Sequence, residues 1–411
     1  MSKKIITFDM AFSYQMIKER NLYSSIITRN LDNYFSMVVS VHPLAGLFNE
    51  GDSQYGYPDI IKINKDHLLI EGKVGLTKKL KWIKPLNFFL GQLILIFKLI
   101  AISKKEKISV IKIGDPYYLG IIGLILKFFL KIPLVIRVCS NYDDVYKKTK
   151  KAAMPRLFRF RFIEKIIERR VFKRCDLIAG ANENNMNYAI QNGAPKEKCT
   201  IFRYGNLLDP LHWKEPLERP DASNDLKKLD LLGKKFVTTV ARLESAKYVE
   251  HFIYVVGELK KRNHPIYGLI IGDGSLRKEF ENLADSKGLS SFIIFAGNCK
   301  QDWIARVIPH STLILSPHMG RALTEAALSN VPIVGYDHDW QNEVIINDKT
   351  GFLVDHEDWM SMSDKSEELL NDKNKSIRFA KNARDHVFRI MSPDMLNTHE
   401  KNQYDLLINK S

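Results

Sequence analysis

Two cations and one carboxylate in the second half of this chain have the types and spacing to handle a phosphate beside a sugar. Arg242 and Lys247 stand five residues apart, directly after the apolar run Phe236-Val-Thr-Thr-Val-Ala241. A strand ending there would deliver both cations to one diphosphate. Farther along, Ser316-Pro-His-Met-Gly-Arg-Ala-Leu-Thr-Glu325 follows another short apolar run, 312–315, and passes through a glycine-containing turn. A helix is predicted to open near Arg321. The first amides of a helix lack internal partners, so Gly320, Arg321, Ala322 and Leu323 would offer an anion site. Glu325, one turn in, can accept ribose hydroxyls while those amides hold phosphates. Arg grips two phosphate oxygens at once and Lys acts as a point charge. Cations fixed where negative charge develops lower the barrier to departure of a diphosphate.

Other turns fit the same chemistry. Gly272-Asp273-Gly274 closes the apolar run 268–271, and glycine at such a turn lets a ligand approach the backbone. The run 292–297 also ends in glycine and is followed by Asn298 and Lys300. His318 can hydrogen-bond a sugar hydroxyl, although a lone histidine is as readily structural. Asp337-His-Asp339 superficially resembles a metal cluster but lacks a third and fourth ligand, so no metal is expected. In the first half, Asp115 and the stretch Cys139-Ser-Asn141-Tyr-Asp143 each follow a strand-like run. They are candidates for the donor or acceptor side of a site. Cys139 has no base partner in evidence and is not expected to act as a nucleophile.

In order and spacing, the run from about Arg242 to Val354 resembles the GT4-type retaining glycosyltransferases, which have the GT-B fold. The likeness continues more weakly upstream through Asp176-Leu-Ile-Ala-Gly-Ala-Asn-Glu-Asn-Asn185 and Thr200-Ile-Phe-Arg-Tyr-Gly-Asn206. The resemblance implies that Arg242 and Lys247 neutralise the diphosphate as the sugar bond breaks, with no metal and no cofactor beyond the donor. It implies that Glu325, matching the second glutamate of the E-x7-E motif, binds the ribose. It also implies that Gly297, Asn298 and Lys300 frame the base, and Glu343 matches a further family glutamate read here as structural. The sequence departs at Pro317, where the family places its first glutamate, and His318 and Arg321 are the neighbours available to the sugar instead. Many relatives carry a histidine where Cys139 and Ser140 stand. The implied reaction moves a sugar from a nucleoside diphosphate, UDP or GDP, to a glycan hydroxyl with retention of configuration. A lipid-linked or membrane-borne acceptor of cell-envelope polysaccharide synthesis is the expected partner. Two rivals remain: a GT-B epimerase or phosphorylase using the same cleft, whose expected carboxylates, histidine or cofactor lysine are not found, and, supported by the two departures, a catalytically silent glycan-binding or partner subunit.

Elements that would position these residues recur along the whole chain. Short Ile- and Val-rich runs at 37–41, 110–113, 133–138, 177–181 and 200–202 alternate with helical stretches, and the pattern resumes from 236. Such alternation indicates βαβ units and parallel sheets. Three prolines and no sustained period across 208–224 read as a linker. The expected architecture is therefore α/β, with two doubly wound Rossmann-like domains meeting across a cleft. The first comprises 1–207 plus a C-terminal helix of about 394–411, and the second comprises 208–393.

Charge is unevenly placed. Residues 1–200 hold 34 Lys and Arg against 17 Asp and Glu, whereas 201–411 hold 28 against 30, so the net +15 belongs to the first half. Residues 86–102 and 120–130 are strongly apolar and bracketed by lysines. They are read either as buried crossover helices or as a surface lying in a membrane interface. No nucleic-acid motif is present, so an anionic membrane surface is the expected partner and nucleic acid is not. Four scattered cysteines and an N-terminus without signal-peptide character suggest a reduced, cytoplasmic chain, peripheral at the inner face of the plasma membrane.

Overall fold

The computed structural model describes residues 2–409 apart from 12, 20, 21, 49, 50, 206 and 207. Asn206, which ends one of the matched motifs, and the expected boundary at 207 lie outside the described residues. The chain divides into two compact units, residues 1–203 with 397–411, and residues 204–396.

The first unit is built on β1 Lys4–Phe8, β2 Met37–His42, β3 Asp59–Asn64, β4 His67–Glu71, β5 Val110–Ile113, β6 Leu134–Val138, β7 Leu177–Gly180 and β8 Cys199–Ile201. Among the described residues they form one sheet in the order β3-β4-β2-β1-β5-β6-β7-β8. Alternate residues face opposite sides, as a pleated strand requires. Ile6, Phe8, Val39 and Ile111 enter one core, and Ile5, Val38, Val110 and Val135 enter the other. Helices Lys84–Glu106, Tyr118–Leu130 and Arg161–Arg174 cover the first core, contributing Leu95, Leu99, Ile122, Leu126 and Val171. The second core is closed by Tyr404 of the helix Pro393–Ile408. That helix is further tied down where Lys112 Nζ meets Glu400 Oε1 at 2.6 Å, with both groups largely buried.

The expectation of purely parallel sheets is corrected at one edge. β3 runs antiparallel to β4 through a turn at Lys65 and Asp66. Its exposed, alternating Asp59-Ile-Ile-Lys-Ile-Asn64 pattern is that of an edge strand. Mixed edges of this kind are common on otherwise parallel sheets.

The second unit contains β9 Phe236–Val240, β10 Tyr267–Ile271, β11 Ile293–Gly297, β12 Leu313–Ser316, β13 Ile333–Tyr336 and β14 Phe352–Val354. All pair in parallel, in the order β11-β10-β9-β12-β13-β14. The chain builds outward from β9 to β11, then returns to the other side of β9 with β12. The strand order therefore reverses between β9 and β12, and in an open parallel sheet ligands bind at the carboxyl ends beside such a reversal.

The stretch read as a linker is a second correction. Residues 209–219 form short 3₁₀ turns at Pro210–Trp213 and Pro216–Glu218 and pack onto the second unit. The reason is Arg219, whose buried guanidinium donates to the carbonyls of His212 (2.8 Å), Ala305 (2.9 Å) and Leu328 (2.7 Å). Pro210 and Pro216 deprive the segment of backbone donors, and Arg219 ties its His212 and Lys214 carbonyls to those of Ala305 and Leu328.

Candidate active site

Arg242 and Lys247 leave the end of β9, and the turn 316–320 leaves the end of β12, so the sheet order sets them side by side. Arg242 is exposed. Lys247 ends a 3₁₀ turn, Ser245–Lys247, and its ammonium lies 3.5 Å from where a Cβ on Gly320 would stand. Gly320 itself has φ 68°, a left-handed conformation natural to glycine. His318 fastens the two loops together. Its Nδ1 pairs with the Ala246 carbonyl at 2.9 Å, and its Nε2 lies 3.5 Å from Asp339 Oδ2. With Nδ1 carrying the proton, His318 holds the lysine loop against the glycine turn. The adjacent rings of His338 and His356 stack at 4.0 Å, and His338 lies 5.1 Å from His318. No group of three or more metal-ligating side chains is assembled among the described residues.

The cation loop is braced from its other side by the Gly272-Asp273-Gly274 turn. A Cβ on Gly272 would fall 1.9 Å from the Ala241 carbonyl oxygen, and the Leu243 amide donates to the Asp273 carbonyl at 3.1 Å. Glu244 accepts from the Ser275 amide at 3.1 Å and its hydroxyl at 2.8 Å, and these bonds hold its carboxyl below the usual range. Asp273 pairs with Arg277 at 3.3 Å, and Gly272 bridges to Gly297 at the head of the exposed Asn298 and Lys300.

The helix Ala322–Ala327 starts where the sequence places it. Arg321 is exposed at its start. The Leu323 amide donates to the Gly320 carbonyl at 3.0 Å, whereas the amides of Gly320, Arg321 and Ala322 have no backbone acceptor among the described residues. Glu325 is buried at 1% exposure, and its Oε2 has no hydrogen-bond partner among the described residues. Burial pushes its carboxyl pKa up, against the opposing pull of Arg321 and Gln301.

Two residues of this site escape a reading of the sequence. His212 is fully buried, with its Nε2 4.0 Å from Glu325 Oε2 and neither ring nitrogen hydrogen-bonded among the described residues. Burial, then the nearby Arg219, lowers its pKa to about 4, so it is neutral at physiological pH. Gln341 is equally buried and donates to the carbonyls of Ser316 (3.2 Å), Pro317 (3.3 Å) and Tyr336 (2.9 Å). It thereby fixes the strand end that carries Pro317. The only sequence signal for Gln341 is its place in Asp339-Trp-Gln-Asn-Glu343. Glu343 is half-buried, and its carbonyl accepts from His386 at 2.8 Å.

In the first unit, Asp115, Cys139, Asn141 and Asp143 follow the ends of β5 and β6. Asp115 caps the next helix, accepting from the amides of Tyr117 (2.8 Å) and Leu119 (3.3 Å). Burial pushes its pKa up to about 7, against those amides. Asn141 caps Tyr142–Thr149 by accepting from the amides of Asp143 and Asp144, both at 3.2 Å. Asp143 accepts from Arg161 (2.9 Å), Lys165 (2.7 Å) and Asn192 (3.0 Å), and these partners outweigh burial to hold its carboxyl below the usual range. Cys139 is exposed. Arg161 continues the network inward to the buried Glu164 and Glu168 and to the Tyr117 hydroxyl.

Residues 221–386 match the family described as glycosyl transferases group 1. The chain is 29% identical over 151 residues to alpha-D-kanosaminyltransferase of Streptomyces kanamyceticus, covering 36% of this chain and 39% of that one. It is 21% identical over 252 residues to a 2-deoxystreptamine N-acetyl-D-glucosaminyltransferase of Niallia circulans, covering 60% and 63%. It thus spans less than two thirds of either relative's length. A longer match, 23% over 327 residues, joins it to the capsular polysaccharide biosynthesis glycosyltransferase CapM of Staphylococcus aureus and covers 77% of this chain and 81% of that one. Among solved structures, Anabaena Alr3699/HepE in complex with UDP superposes with TM-score 0.72 at 15% identity, over 99% of this chain and 100% of that one. Sucrose-phosphate synthase of Thermosynechococcus elongatus superposes with TM-score 0.71 at 15% identity, over 100% of both. The architecture is GT-B, with two Rossmann-like units. The group 1 glycosyltransferase match lies within the second unit.

Proposed function

We propose that this protein is a GT4-type retaining glycosyltransferase, moving a sugar from a nucleoside diphosphate sugar to a hydroxyl of a glycan. The observation that carries the reading is the Lys247 ammonium set over the Gly320 turn where the second unit's strand order reverses. A diphosphate placed at that turn would meet Lys247 as a point charge, Arg242 from the same strand end, and the amides of Gly320 to Ala322. As the bond to the sugar lengthens, negative charge grows on the leaving diphosphate, and cations already in place need not reorganise to stabilise it. With that charge supplied by side chains, the reaction as proposed routes no step through a metal. Glu325 beneath the turn would accept the ribose hydroxyls.

UDP is the favoured donor nucleotide, because structural neighbours bind UDP and UDP-glucose; GDP is second. The acceptor is proposed to be lipid-linked or otherwise membrane-borne, at the cytoplasmic face of the plasma membrane. Relatives named for capsular polysaccharide and poly(ribitol-phosphate) glycosylation support that side of the reading. Release of UDP from UDP-hexoses, with and without an extracted lipid fraction, tests it. Turnover strongly reduced by Lys247→Ala is the expected result. Absence of turnover with every donor, despite tight nucleotide binding, would favour a silent binding subunit.

A further inference from the structure

We propose that the outer face of the helix layer over the first unit's sheet, centred on Lys84–Glu106, docks onto an anionic lipid bilayer. This names the partner surface for the membrane-borne acceptor proposed above, and rests on that reading. The helix is apolar on both sides, yet only one side is covered. Gly91, Leu95 and Leu99 face inward and are buried, the two leucines joining the sheet core. The opposite stripe, Leu86, Phe89, Leu93 and Phe97, repeats at three- and four-residue steps. Leu86, Phe89 and Phe97 are 46%, 57% and 66% exposed. A helix apolar all round is ordinarily enclosed on all sides. The exposed stripe continues onto the neighbouring helix Tyr118–Leu130, packed through Phe88 and Tyr118, where Phe128 is 76% exposed.

Charge identifies what covers this face. Lys78, Lys79, Lys81 and Lys84 cluster at one end of the long helix, and Lys104, Lys105 and Lys107 at the other. The helix's one acid, Glu106, is paired with Lys4 at 3.2 Å. In the third helix of the layer, Glu164 and Glu168 are buried against Arg161, so its outward charges, among them Arg169, Arg170 and Lys173, are positive. A second copy would bring the same positive rim against this one and be repelled. An anionic bilayer receives the phenylalanines between headgroups and pairs its phosphates with the lysines. By length and composition alone the helix would also qualify as a membrane span. Its inner stripe is part of the sheet core, however, so it lies on a membrane rather than through one.

The test is co-sedimentation of the full chain with phosphatidylcholine vesicles, with and without phosphatidylglycerol. Wild type should bind the anionic vesicles and be weakened by salt. Phe89→Ser with Phe97→Ser should lower the partition about ten-fold or more, since apolar insertion supplies much of interfacial affinity. Lys104→Glu with Lys105→Glu should remove the salt-sensitive part. Leu217→Ser, at a 99% exposed position of the second unit, should change nothing. Unaltered UDP binding and melting temperature would show that each variant is folded. Equal vesicle binding by the phenylalanine variant would overturn this face while leaving a membrane-borne acceptor standing. Failure of wild type to bind anionic vesicles would overturn both. Light scattering showing a wild-type dimer that the phenylalanine variant dissolves would assign the face to a second copy instead.

Discussion

Lys247 carries the proposed chemistry most directly, and its loop is fastened on both sides. His318 grips the carbonyl before it, and Glu244 is turned away onto Ser275. Lys247→Ala, or Arg242→Ala, should cost roughly 2–4 kcal/mol of transition-state stabilisation, read as about a 30- to 1000-fold loss in kcat/KM. In the proposed complex Glu325 and His212 would stand at the ribose end of the donor. Two buried titratable groups 4.0 Å apart, one shifted up and the other down, are suited to positioning a carboxylate for ribose. His212→Ala should weaken UDP binding, because it removes the buried ring that stands beside the Glu325 carboxyl. Binding of inorganic pyrophosphate, which has no ribose, should be unchanged; equal weakening of both would remove His212 from this role. Glu325 was legible from its place after a glycine turn. His212 was not, because its segment shows only prolines and no period, and what folds it inward is a single buried arginine, Arg219, seven residues on in no recognisable motif.

Asp115 gives a residue-level test by pH. Its folded pKa of about 7 lies above the ordinary carboxylate value, so the folded chain keeps a proton that the unfolded chain has released. Stability should therefore fall as pH rises from about 4 to about 7, by up to roughly 4 kcal/mol from this group. Asp115→Asn, which retains a capping oxygen for the Tyr117 amide, should flatten that part of the melting-temperature profile. An unchanged slope would contradict the assignment.

At the scale of elements, the helix Pro393–Ile408 is anchored by a buried ion pair and one aromatic side chain. Burial would raise the Glu400 carboxyl, but Lys112 and then Arg137 outweigh it and hold it low. A depressed carboxylate stabilises the fold above its unfolded pKa, and that contribution is lost as pH falls through the folded value. Glu400→Ala leaves Lys112 buried without its partner and should destabilise by about 3–5 kcal/mol. The double change Lys112→Met with Glu400→Leu should cost much less, by urea unfolding, and equal losses would show that the pair is not the anchor. Most strands were legible because short apolar or β-branched runs such as 110–113, 236–240 and 352–354 are largely buried on both faces. The pair β3 and β4 was not, because an edge strand alternates polar and apolar residues and closes through Lys-Asp rather than glycine.

At the scale of the whole molecule, the two halves of the chain carry different physics on related folds. The second unit is near neutral and concentrates its cations at one strand-order reversal, whereas the first holds the excess positive charge and the exposed aromatic stripe. That division was visible in the sequence as an asymmetry of charge, since charge counts need no knowledge of topology. The adjacency of Lys247 to Gly320 was not, because residues 73 positions apart meet only when β12 returns beside β9. The central claim is that this reversal holds a nucleoside diphosphate. Calorimetric titration of UDP and GDP into the wild-type chain, Lys247→Ala and Glu325→Ala tests it most directly. The account predicts saturable one-site binding of one nucleotide to wild type, with clear weakening in both variants. Binding that is absent in wild type, or undiminished in both variants, would contradict it.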